Sequence, residues 1–223
     1  KKIVLDKFII LTPQNKKEFL FKLKDNIRKL VEGRKIKGIG VAMAGMVDAD
    51  KKILLKAHNL PFLNKWHVNN FFKEFKSPVF CDNDSQCFLR AEFYLGAARG
   101  YKNIVAMTVG TGIGGGIIIN REFYNGRNNS AGEFGHTIVQ IANRKGQNST
   151  LGDLGAKKAF LKYGDRSEII GIGVANLINS FNPDLVVLGG GGIVGGKIKL
   201  DKVRKTARKY VKSPPVVNTP IVK

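Results

Sequence analysis

The chain has 223 residues, 43% of them hydrophobic, which is enough to bury a real core as one large domain or two small ones. Its 38 basic residues against 17 acidic ones give a formal net charge of +21, but the lysines run along the whole chain. The densest stretches, Lys16 to Lys37 and Lys197 to Lys212, carry apolar residues at helical spacing, as solvated helix faces do. With no zinc finger, RNP motif or aromatic-basic run, no apolar window of about eighteen residues and no cleavage site after the basic start, the chain is expected to be cytoplasmic. It should bind neither nucleic acid nor membrane.

Short β-prone runs open the chain at Ile3 to Leu5 and Phe8 to Leu11, and Thr12-Pro13 ends them. A helix is predicted from about Lys16 to Glu32, with Phe19, Leu20, Leu23, Ile27, Leu30 and Val31 on one stripe and Gly33 as its stop. Ile36 to Ala44 reads as a buried strand, closed by Gly45 and followed by a polar turn at Asp48 to Lys52. Asn59-Leu60-Pro61 marks a loop and Val68 to Phe75 a short helix. The strand Val79 to Cys81 then delivers Asp82-Asn83-Asp84, and a helix runs from about Ser85 to Ala98.

Past Gly100, where a domain boundary is expected, Ile104 to Val109 and Ile117 to Ile119 read as strands of a hairpin joined by a glycine-rich turn. Helices follow around Leu154 to Tyr163 and Ile170 to Phe181, and the strand Leu185 to Leu188 runs into Gly189 to Gly192. Alternating strands and helices predict an α/β architecture with mainly parallel pairing plus hairpins.

Four constellations carry possible chemistry. In the turn Gly110-Thr111-Gly112-Ile113-Gly114-Gly115-Gly116, glycines let backbone N–H groups converge on an anion, as in a phosphate nest; a plain tight turn is the alternative. Asn83-Asp84 places a carboxylate at a strand end, either as a helix cap or as a base able to take a proton from a hydroxyl. Gly132-Glu133-Phe134-Gly135-His136 sets a carboxylate and an imidazole three residues apart, a sugar-binding pair or a surface pair. Asn182-Pro183-Asp184 leads through an apolar strand to Gly189-Gly190-Gly191-Gly192, where backbone can approach a nucleotide or simply turn.

In this order the pieces resemble the ROK family (repressors, open reading frames and kinases) of the actin-like sugar-kinase superfamily, over nearly the whole chain. NDSQC, VGTGIGGGIIIN, AGEFGH and GIGVANLINSFNPDLVVLGGG are similar to its Asn-Asp segment, second phosphate loop, Glu-x-Gly-His element and nucleotide-side helix and strand; GIGVAMAGMVD followed by NLP fits its first domain. The resemblance implies a two-domain actin-like (ribonuclease H-like) α/β fold, divided into residues 1–101 and 102–223, and an ATP- and Mg2+-dependent hexose kinase, a cytoplasmic homodimer. It implies that Asp84 activates the sugar 6-hydroxyl, that Asn83, Glu133, His136 and Asn59 hold the sugar, that Gly110, Thr111, Gly112 and Gly114 cradle the transferred phosphate, and that Gly190 and Gly191 lie against the nucleotide. Closure of the domains would exclude water from the γ-phosphate.

Departures from the family pattern qualify that expectation. No Asp-x-Gly-Gly-Thr hairpin precedes Lys1 and the chain stops after Ile221-Val222, so truncation at both ends is expected. The family's zinc-binding cysteines line up with Asn143 to Thr150, where every one is replaced, so no structural zinc is expected; Cys81 and Cys87 read as buried free thiols. A usual acidic sugar ligand falls on Gly152, beside Asp153. A sugar-responsive transcriptional regulator and a catalytically inactive sugar-binding relative therefore stand beside the kinase.

Overall fold

The computed structural model describes residues 4–57, 59–127, 129–141, 147–212 and 218–223. They divide into two compact units, Lys1–Asp84 and Ser85–Lys223. The boundary expected near Gly100 thus falls inside the second unit, because the helix that follows Asp84 buries its apolar face in that unit's core.

In the first unit, helix α1 (Lys16–Val31) is followed by β1 (Ile39–Met43), β2 (Met46–Asp48), β3 (Ile53–Lys56), β4 (Trp66–His67), α2 (Val68–Phe72) and β5 (Val79–Asn83). Asn15 caps α1 by accepting from the Glu18 N–H at 2.8 Å, and Gly33 leaves the helix in the left-handed region at φ +66°. The stripe of Phe19, Leu20, Leu23 and Ile27 packs against a core of Met43, Val47, Leu54, Trp66 and Phe72. β1 runs parallel to β5, and β2, β3 and β4 form an antiparallel sheet.

Two expectations fail in this unit. Residues 4–11 form no strand, with Val4 79% and Leu11 94% exposed, and Ile3 lies outside the described residues. A β-prone run becomes a strand only beside a hydrogen-bonding neighbour, and among the described residues none lies alongside. The strand expected over Ile36 to Ala44 is shorter, Ile39–Met43, and alternates between half-buried and exposed until Met43, because β5 is its one partner among the described residues.

The second unit holds α3 (Asp84–Leu95, counted from the last residue of the first unit), β6 (Ile104–Val109), β7 (Ile113–Ile119), β8 (Glu122–Phe123), β9 (Ile138–Gln140), β10 (Ser149–Thr150), α4 (Leu151–Gly155) and α5 (Lys157–Tyr163). It continues with α6 (Ser167–Phe181), β11 (Leu185–Gly189), α7 (Gly191–Val194), α8 (Leu200–Tyr210) and β12 (Ile221–Val222). Its main sheet has the order β12-β11-β6-β7-β8, with β6, β11 and β12 parallel and β7 and β8 joined as antiparallel hairpins. Alternate residues face opposite layers, as the pleat requires. Ile104, Ala106, Leu185 and Val187 meet Leu89 of α3, whereas Val105, Met107, Val186 and Leu188 meet Ile170, Val174 and Ile178 of α6 and Val203 and Ala207 of α8. Burial of both faces explains why these strands read as continuous apolar runs.

The glycine-rich turn is shorter than expected. Only residues 110–112 turn; Gly114, Gly115 and Gly116 lie within β7. A Cβ on Gly114 would strike the Ser85 hydroxyl, one on Gly115 the Phe134 ring, and one on Gly116 the Leu89 side chain at 2.8 Å. Those three glycines allow α3 and Phe134 to press against the strand. The helix expected over Leu154 to Tyr163 is broken into α4 and α5 at Ala156, whose ψ of 178° is extended.

The start of α6 is tied to α8. Ser167 is fully buried; its hydroxyl donates to Asp165 and accepts from the Lys199 N–H at 2.7 Å, and the Lys202 ammonium sits 2.9 Å from the Asp165 carboxylate. The Ser167 hydroxyl, and then Lys202, hold the Asp165 carboxyl well below the usual carboxylate range, from an ordinary 3.8. A depressed folded-state value favours the fold above the unfolded value, and that contribution fades as pH falls through the folded one. Asp165→Asn should therefore lower the thermal midpoint at pH 7, with the gap to wild type narrowing below about pH 4, as melts across a pH series would show.

Candidate active site

Asn83 ends β5 and Asp84 begins α3. The Asn83 side-chain amide donates to the Gly45 carbonyl at 2.9 Å, and the Asp82 carboxylate accepts from the Asn83 N–H at 2.8 Å. Gly45, at φ +143°, has no room for a side chain: a Cβ would overlap the Lys56 carbonyl and lie 3.1 Å from the Ala57 Cα. Asn83 is thereby linked through Gly45 to the backbone at Lys56 and Ala57; Asn59 is exposed. Asp84 is exposed on the first turn of its helix. The neighbouring Ser85, in the second unit, shares a 2.7 Å hydrogen bond with Thr108 of β6.

In the second unit Glu133 precedes and His136 ends a 3-10 turn, Phe134–His136, with the imidazole Nε2 3.7 Å from the Glu133 carboxylate and both side chains largely exposed. Phe134 and Gly135 are buried and anchor the turn. α4 begins against it, where a Cβ on Gly152 would come 3.0 Å from the Gly135 carbonyl. Asp153 closes a capping box with Thr150, its carboxylate accepting from the Thr150 N–H at 3.0 Å and hydroxyl at 2.8 Å. Those bonds hold its carboxyl below the usual range, and nearby His136 acts in the same direction. Sequence reasoning placed Asp153 only beside a missing ligand; the Thr-x-x-Asp spacing was the signal for its cap.

Strands β6 and β11 are parallel neighbours, and their carboxyl ends release the Gly110–Gly112 turn and Gly190, which leads into Gly191-Gly192 at the start of α7. A crevice outside such strand ends is where open α/β sheets take ligands. Here it is a cavity of about 330 Å³ lined by Val109, Gly110, Thr111, Ala156, Lys157, Phe160, Gly191, Gly192, Lys197 and Ile198. Gly190 is required: at φ +87° its Cβ would lie 2.5 Å from the Val109 carbonyl. Gly110, Gly112 and Gly191 differ, since a Cβ on each would meet nothing within 4 Å. Open space beside bare backbone suits the oxygens of a phosphate chain, so a nucleotide's polyphosphate fits these residues. A larger hollow of about 530 Å³ beside Tyr124, Arg127, Phe134 and Phe181 is mostly apolar, and its two glycines are not open: a Cβ on Gly126 would meet Ala131 and one on Gly132 the Gly115 carbonyl.

Of the cysteines, Cys81 is buried and Cys87 only half-buried, and burial pushes the Cys81 thiol up. The segment aligned with the zinc motif lies outside the described residues from Asn143 to Gly146. Among the described residues no three His, Cys, Asp or Glu gather to hold a metal, and no helix is long and apolar enough to cross a membrane.

A mixed α/β chain of two units, with a glycine-framed crevice at parallel strand ends, has the actin-like ATPase fold of sugar kinases. The ROK family model matches residues 4–155, and the chain belongs to the ROK family. It is 26% identical to the glucokinase of Thermotoga maritima, over 95% of this chain and 80% of that protein. It is also 26% identical to the xylose repressor of Bacillus subtilis, over 79% of this chain and 54% of the repressor. In fold it matches a ROK glucokinase from Streptomyces griseus in complex with glucose and AMPPNP, with TM-score 0.81 at 22% identity, over 96% of this chain and 85% of that one.

Proposed function

We propose that the chain is a cytosolic, homodimeric hexose kinase that transfers the γ-phosphoryl group of ATP to the 6-hydroxyl of glucose or a close relative. The observation that carries this is Asn83-Asp84, where an amide fixed by the Gly45 carbonyl precedes an exposed carboxylate on the first turn of a helix. Asp84 takes the hydroxyl proton as the sugar oxygen bonds to the γ-phosphorus and the bond to the β–γ bridging oxygen breaks, releasing ADP. Asn83, Asn59, Glu133 and His136 hydrogen-bond the ring hydroxyls. Gly110, Thr111, Gly112 and Gly114 present backbone to the phosphates, and Gly190 and Gly191 to the nucleotide; Gly114 does so through its main chain alone, since Ser85 occupies its side-chain space. Mg2+ bound with ATP supplies partial neutralisation of the phosphate oxygens.

The test is hexose-dependent ADP release in a coupled assay. Release that saturates with both hexose and ATP is expected; none across glucose, mannose, fructose and N-acetylated hexosamines would overturn the assignment. The similarity to the B. subtilis xylose repressor favours a second reading, a sugar-responsive regulator. Hexose binding without ADP release, together with salt-sensitive binding to a specific duplex, would support it. Gly152, where the family places an acid, is the feature that would fit an inactive relative, and saturable turnover excludes that.

A further inference from the structure

The crevice at the ends of β6 and β11 has an uneven lining. Val109, Ala156, Phe160 and Ile198 are apolar, and Thr111 is the one uncharged polar side chain among its lining residues. Nothing else in that lining reads the hydrogen-bonding edge of a base with a neutral side chain. The remaining lining residues are glycines and two lysines, Lys157 and Lys197.

Both lysines are placed there by structure. The Lys157 N–H donates to the Gly110 carbonyl at 3.0 Å, which ties the first residue of α5 to the glycine turn. The Lys197 ammonium stands 5.4 Å over the Phe160 ring, so the aromatic face keeps it at the crevice instead of letting it range through solvent. Among the described residues neither is paired with a carboxylate, whereas Lys202 and Lys22 are. Two lysines that line one crevice with bare glycine backbone, neither paired with a carboxylate among the described residues, suit a linear chain of phosphates, because each ammonium offers three donors to any phosphate oxygen in reach.

Resting on the reading of this crevice as the phosphoryl-donor site, we infer that the donor is recognised through its phosphate chain, clamped by Lys157 and Lys197, and only secondarily through its base. The ligand class is a linear polyphosphate, whether the tail of a nucleoside triphosphate or an inorganic chain. Phe160 and Ile198 give a base a surface to lie on without selecting which base it is.

Calorimetric titration of the whole chain with ATP, GTP, inorganic tripolyphosphate and adenosine separates the possibilities. Tripolyphosphate should bind, should be displaced by ATP and should lie within about tenfold of it, GTP should match ATP closely, and adenosine should bind far more weakly. Lys157→Gln and Lys197→Gln should each weaken ATP and tripolyphosphate alike, by roughly tenfold, the scale of one charge-assisted contact. Lys158→Gln on the same helix should change neither. Unchanged melting curves guard against misfolding, and the glutamine variants keep most of the stem that packs on Phe160. If ATP binds but tripolyphosphate does not displace it, or ATP binding ignores both substitutions, the clamp is wrong while the donor crevice stands. If neither ATP nor tripolyphosphate binds, both fall.

Discussion

Asp84→Asn should cut the turnover number for hexose phosphorylation by ~100-fold to ~10,000-fold, the range a positioned general base supplies, while the hexose KM and the melting temperature stay near wild type. The substitution decides between the two roles open to this residue. Asparagine caps a helix about as well as aspartate, so a pure cap would leave activity and stability unchanged. The amide cannot take the hydroxyl proton, so a base would be lost outright. Because Asp84 is exposed on the first helical turn, little core packing is disturbed. Steady-state kinetics by coupled ADP release, with a melt of the same samples, gives the answer; near-normal turnover would remove Asp84 from the chemistry.

Gly190→Ala should destabilise the second unit by about 3 kcal/mol or more and abolish donor binding with it. Two penalties combine. A backbone at φ +87° and ψ 166° lies in a region that residues with a Cβ scarcely enter, and that Cβ would sit 2.5 Å from the Val109 carbonyl and 2.8 Å from the Val109 nitrogen, both main-chain atoms of a central strand. Neither neighbour can swing aside as a side chain would. Gly191→Ala is the matched control, since a Cβ there meets nothing within 4 Å. It should fold like wild type, so that any loss of ATP affinity reports on the ligand's approach to the start of α7. Denaturant titration of both variants checks the contrast, and equal stability of the two would refute the steric account of Gly190.

Local signals carried much of the fold in the sequence. The α1 stripe with Gly33 after it, the β6–β7 hairpin, and the run from α6 through Asn182 into β11 were all legible, because cap chemistry, loop length and apolar runs depend on near neighbours. Asn182 takes the left-handed C-cap position at φ 44°, and the Asp184 carboxylate accepts from the Asn103 N–H at 2.8 Å, a pairing of distant residues that no local pattern announced. Where the sequence misled, tertiary contact decided. Three consecutive glycines looked like turn residues, yet Leu89, Ser85 and Phe134 need their missing side chains inside a strand. Residues 4–11 had the propensity of strands but no neighbour among the described residues. Ala156 broke the expected helix just after Gly155, a glycine whose stop signal the run from Leu154 to Tyr163 had masked.

The proposed site was legible in the same uneven way. Asn83, Asp84, Glu133, His136 and the glycines stood out through their spacing and the family likeness. Lys157, Phe160 and Lys197 did not, because forty residues separate the two lysines and only folding brings both to one crevice. In a chain of net charge +21, no single lysine is conspicuous.

The alternating burial of β6 and β11 also has a consequence in time. Each of these strands is hydrogen-bonded to a neighbour on both sides and covered by helices above and below, so their amides should be among the last in the chain to exchange with deuterium. β1, with one neighbour among the described residues and alternately exposed side chains, should exchange sooner. The Gly110–Gly112 turn and the glycines at the start of α7 therefore hang from the slowest-opening part of the molecule, and their backbone geometry persists through many local openings elsewhere.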